Sequence, residues 1–67
     1  MEIYDKFENV ELLGKLYRAH IQYKNNNKEE MAKIIEEYNL TALEVIELLR
    51  FIIQNKEREV RKYMFYD

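Results

Sequence analysis

The chain contains no cysteine, no proline, no tryptophan and no serine, and only one glycine and one histidine. Without cysteine there is no disulfide, and a single imidazole is too few for a structural zinc site. With serine and cysteine both missing, and Thr41 the only threonine, no covalent nucleophile is on offer for a hydrolase. One glycine cannot build a phosphate-cradling loop. No apolar run is long enough to cross a bilayer, and no basic-then-apolar leader marks the start. These absences lead to the expectation of a non-enzymatic, cytoplasmic protein with no membrane contact. They also lead to the expectation of no catalytic residue, no metal and no cofactor.

What is present is a chain of 67 residues, enough for one domain spanning 1–67. A domain this small buries only about 60 % of its unfolded surface, so its core is marginal without help from packing, self-association or a partner. The net charge of −2 is unevenly spread. Up to Leu49 ten acids face six bases, a balance of −4, and from Arg50 onward five bases face three acids, a balance of +2. Richness in Lys, Asn, Ile, Tyr and Glu suits an A+T-rich genome such as that of a phage or mobile element.

The clearest local signal is Thr41 followed by Glu44, a capping box in which each residue satisfies an unpaired N–H near the other. Leu40 and Val45 stand where a hydrophobic staple would fix the entry of the chain. From Thr41 to Met64 nothing breaks a helix, so the spacing predicts about 23 helical residues, roughly 34 Å of helix. Its expected core face is Val45, Ile46, Leu48, Leu49, Ile52, Ile53, Val60 and Tyr63. Asp5 with Glu8 and Asn27 with Glu30 give two further capping boxes, opening a long first helix and a short second one. The first carries stripes at Leu12, Leu16, Ala19 and Tyr23 and at Phe7, Val10, Gly14, Tyr17 and Ile21, with Leu13 between them. That arc is far broader than the roughly 100° a surface helix needs. Either the first helix is sandwiched between both neighbours, or Val10, Tyr17 and Ile21 face a second copy in a homodimer. The second helix buries Met31, Ile34, Ile35 and Tyr38, and Asn39 is expected to close it in the left-handed conformation. The fold class is all-α: a small three-helix bundle, two helices long and one short, with a tight helix–turn–helix-like corner.

The run IIEEYNLTALEVIELL, Ile34 to Leu49, resembles the helix–turn–helix of DNA-binding regulators, with Asn39-Leu40-Thr41 in place of the usual Gly-hydrophobic-Ser. That resemblance implies a dimeric transcriptional regulator. The residues depart from it at Ile35, where such motifs carry a small side chain, and in charge. Glu36, Glu37, Glu44 and Glu47 would crowd the corner, where phosphate contacts call for Lys and Arg. The same four acids read better as a contact face for a protein. Other acidic pairs belong to solvated helix faces, and His20 sits at the edge of the apolar arc as a packed or half-exposed side chain. Opposite the core face of the third helix, Phe51 and Phe65 are interleaved with Arg58 and Lys62, a composition enriched at protein interfaces. The leading expectation is a small interaction module, a regulator or inhibitor that binds a larger protein through Phe51, Arg58, Lys62 and Phe65. The alternatives are the DNA-binding regulator and a structural homo-oligomer.

Overall fold

The computed structural model describes residues 3–64, with side-chain placements for 5–62. It is an all-α bundle, with no strand among the described residues. Helices α1 (Ile3–Glu8), α2 (Val10–Lys24), α3 (Glu29–Glu37) and α4 (Ala42–Phe51) follow in order. A π-helical turn (Ile52–Lys56) then joins α4 to α5 (Glu57–Met64).

Local chemistry explains most of the boundaries. The capping box at α4 forms as the sequence predicts: Glu44 N donates to Thr41 Oγ1 at 3.1 Å, and Thr41 N donates to Glu44 Oε1 at 2.9 Å. Asn39 closes the corner with φ of 51°, a left-handed value that asparagine tolerates better than most residues. The other two boxes do not form. Asp5 lies inside the first turn of α1, which has begun by Ile3, so it does not cap it. Asn27 Oδ1 accepts instead from Glu29 N at 3.2 Å, an Asx turn placed ahead of Lys28, the residue before α3.

The expected long first helix is also divided. Asn9 leaves helical geometry at ψ 94° and caps α2, its Oδ1 accepting from Leu12 N at 3.1 Å. This break lets α1 fold back and meet α4 as well as α2.

Helix α2 is the centre of the bundle and touches α1, α3, α4 and α5. Its broad apolar arc is therefore covered from within one chain: Leu12, Leu13, Gly14, Leu16, Tyr17 and Ala19 are all buried. From the remaining elements Met31, Ile34, Leu40, Leu48, Ile52 and Val60 complete the core. Every buried side-chain nitrogen or oxygen among the described residues has a hydrogen-bond partner.

The π turn has a packing cause. Ile52 and Val60 are both fully buried, yet they are eight residues apart. At about 100° per residue an unbroken α-helix would set them about 80° apart around the axis. A π turn takes up one extra residue through its wider bonding pattern, which brings Val60 back over Ile52.

Candidate protein-interaction surface

Phe51 does not stand on an open polar face. It is half-buried, its ring meets that of Phe7 edge to face at a centroid distance of 4.9 Å, and it packs on the core. Together with Phe7, Val10, Leu13 and Val60 it walls a groove of about 450 Å3 between the start of α2 and the π turn. Arg58 and Lys62 are exposed and lie elsewhere, with Glu57 and Arg61, around a shallow depression on α5. The separation follows from the π turn, which rotates α5 by about 100° relative to an unbroken helix and splits the stripe joining Phe51 to Arg58 and Lys62. Phe65 lies outside the described residues, as does the side chain of Tyr63.

The expected self-association face is largely internal. Tyr17 is 4 % exposed. Its hydroxyl donates to Glu57 Oε2 at 2.8 Å and accepts from Arg61 Nε at 3.3 Å, tying α2 to α5. Ile21 packs against the core, and of the three only Val10 is exposed.

The four acids of the corner divide in the same way. Glu36 is exposed, without a partner among the described residues, whereas Glu37 accepts from Lys15 Nζ at 3.1 Å. Lys15 also pairs with Glu11 at 3.1 Å, and these two carboxylates hold its ammonium above the ordinary lysine range. Glu44 is engaged by the fold: Lys6, only 5 % exposed, places its Nζ 2.6 Å from Glu44 Oε2. That ammonium, followed by the Thr41 N–H, keeps the Glu44 carboxyl below its usual value. Glu47 is half-buried, without an ion pair among the described residues.

The open apolar surface lies on α4 and the π turn instead. Leu43, Ile46 and Ile53 are 63 %, 53 % and 49 % exposed. Ile46 and Ile53 belong to the expected core face of this helix, so here the structure corrects the sequence. The available signal was an excess: seven of the eleven residues from Leu43 to Ile53 are aliphatic, more than one buried face of a helix can take.

Beside this stripe runs a groove of about 410 Å3 between α2, α3 and α4. Its walls are His20, Tyr23, Met31, Ile35, Ala42, Val45, Ile46 and Leu49, almost wholly apolar. Burial pushes the His20 imidazole below its ordinary value, and Lys24 adds to the push. The imidazole is thus neutral at neutral pH and acts as part of an apolar wall. Lys28 lies over the exposed Tyr23 ring at 5.6 Å, so the open end of the groove carries positive charge.

Among the described residues no three His, Cys, Asp or Glu side chains are grouped to hold a metal ion, and no helix is long and apolar enough to cross a membrane. Comparison with protein-family models, curated proteins and solved structures finds no match to this chain.

Proposed function

We propose that this chain is a small non-enzymatic protein-interaction module, a regulator or inhibitor that acts by covering a surface on a larger protein. The observation that carries this reading is the apolar groove between α2, α3 and α4, open to solvent beside the exposed Tyr23 and Ile46. Its apolar walls suit an inserted aliphatic or aromatic side chain, and Lys24 and Lys28 at its end suit an acidic flank. The partner element is therefore an apolar segment with acidic residues beside it. We take this site in place of the grouping of Phe51, Arg58, Lys62 and Phe65, because Phe51 is packed on Phe7 and Arg58 and Lys62 line a separate depression on α5.

The corner from Glu36 to Glu44 favours the helix–turn–helix reading in shape, since Asn39 is left-handed and Thr41 caps α4. Its chemistry opposes that reading. The outer side of α4 offers Leu43, Ile46 and Ile53 with Arg50 as its lone base, where phosphate contacts need several.

Immobilised chain should retain one protein from its native host, identified by mass spectrometry. Tyr23→Asp, at an exposed position, should weaken that binding by roughly 30-fold, the size expected of an interface anchor worth about 2 kcal/mol, and leave helicity by circular dichroism unchanged. Full retention by the folded variant, or retention of duplex DNA with a steep loss on adding salt, overturns the reading.

A further inference from the structure

On the outer side of α4 and its π turn, Leu43, Ile46, Arg50 and Ile53 recur at intervals of three, four and three residues. That is the spacing of a coiled-coil seam. All four are exposed. One charge, Arg50, interrupts the seam, and one acid, Glu47, flanks it. Among the described residues neither makes an ion pair or side-chain hydrogen bond. Glu44 at the start of α4 and Arg61 on α5 are already paired, with Lys6 and with Glu57.

We infer that a second copy of this chain covers this stripe, with α4 lying antiparallel against α4 about a two-fold axis. The inference rests on the reading of this protein as an interaction module, and it assigns the stripe to self-association while leaving the neighbouring groove, which shares Ile46 with the stripe, to the larger partner.

The seam's own symmetry selects the arrangement. In a two-fold contact residue i meets residue j and residue j meets residue i. The four positions are symmetric about Leu48, so Leu43 falls opposite Ile53 of the second copy and Ile46 opposite Arg50. The aliphatic stem of Arg50 then lies along Ile46, and its guanidinium reaches the neighbouring Glu47 of the second copy. This happens twice, once on each side of the axis, and the two unpaired charges of each chain find their partners. A parallel pairing in register would instead set Arg50 against Arg50, which opposes that alternative. The seam is only about 15 Å long, so the interface belongs to the low end of specific contacts, below about 1,200 Å2 in total. Association is therefore expected at micromolar rather than nanomolar concentration.

Sedimentation equilibrium of the full chain at high micromolar concentration should give twice the 8.3 kDa chain mass. Arg50→Glu makes both positions acidic, and Glu47→Arg makes both basic. Each variant alone sets like charges across the axis and should dissociate at least tenfold more readily, with its helicity and urea midpoint retained. An equimolar mixture of the two should associate again, because an acidic chain facing a basic one is attractive on both sides. A monomeric wild type overturns the dimer, and a mixture that stays monomeric overturns the antiparallel register. Tyr23→Asp should leave the dimer mass unchanged. A monomeric wild type whose larger partner is still lost on Tyr23→Asp removes the self-association alone and leaves the groove reading standing.

Discussion

Deleting Asn55 from the π turn should leave the protein nearly as stable as before, although most single-residue deletions inside a helix are ruinous. Ile52 and Val60, both with essentially no exposed surface, are held in one core layer across eight residues. Eight residues of α-helix turn through about 800°, leaving the two side chains about 80° apart, whereas seven turn through about 700° and leave them within about 20° of alignment. Removing one residue therefore lets the segment relax to ordinary α-helix while Val60 stays inside. The local loss is small, because Asn55 is exposed and its one bond, Nδ2 to the Phe51 carbonyl, is long at 3.5 Å. The expected change in unfolding free energy is within about 1 kcal/mol, the usual range for a surface alteration that leaves the core intact.

Deleting Arg18 from α2 provides the comparison. That helix has no spare residue, so Ala19 and Ile21 would swing about 100° away from the layer set by Leu12 and Leu16. Each large aliphatic side chain turned outward forfeits roughly 1.5–3 kcal/mol, and α2 meets every other helix. In a fold whose total stability is on the order of 5 kcal/mol, the expected result is loss of the cooperative transition. Urea melts followed by circular dichroism give both values. If the Asn55 deletion costs more than about 2 kcal/mol, or unfolds the chain as the Arg18 deletion does, the π turn is not a register insert and the packing argument for it fails.

Two further outcomes test the junction at which α1, the corner and α4 meet. Thr41→Ala removes the acceptor for Glu44 N and should cost roughly 0.5–2 kcal/mol in a urea melt; a change of zero would mean that the cap carries no energy. Glu44 also gives a pH signature. Its folded value is depressed below the ordinary 4.5, so the stability it contributes is present above that value and lost as pH falls through the lower folded one. The gap in urea midpoint between wild type and Glu44→Gln should therefore be widest near neutrality and close on acidification below about pH 4.5. A gap that stays constant down to about pH 3 would refute the Lys6–Glu44 linkage.

Two signals contained within four or five residues were legible in the sequence, although the boxes read at Asp5 and Asn27 did not form. Thr41 and Glu44 satisfy each other's backbone N–H across one turn, and Asn39 needs only its own tolerance of positive φ, so neither depends on distant chain. The break at Asn9 was not legible. Asp5 and Glu8 offer the same box pattern as Thr41 and Glu44, whereas α1 is held on α4 by contacts distant in sequence, Lys6 with Glu44, 38 residues away, and Phe7 with Phe51. The π turn was not legible either: after Ile52 and Ile53 the next aliphatic is Val60, seven residues beyond Ile53 and so in phase with it on an unbroken helix. Taken as unbroken helix, the same sequence puts Phe51, Arg58 and Lys62 on one side, and the one added residue of the π turn carries the two bases round from Phe51.

The surplus of apolar side chains raises the same question of position within the bundle. Both α2 and α4 carry apolar arcs too broad for one neighbour, and periodicity treats them alike. Their contacts do not. Helix α2 is enclosed by α1, α3, α4 and α5, so Tyr17 and Ile21 are taken up internally. Helix α4 meets the rest of the bundle on one side, through Val45, Leu48 and Leu49, and among the described residues no helix covers its other side. In 67 residues only one helix can be central, and the excess on the other must face outward. The chain begins α4 with a capping box and ties it to α1 by a buried lysine, so the outward stripe is held on a fixed element. On the proposed reading this fixed, patterned apolar stripe, whose Arg50 and Glu47 make no ion pair among the described residues, is a specific contact rather than leftover core.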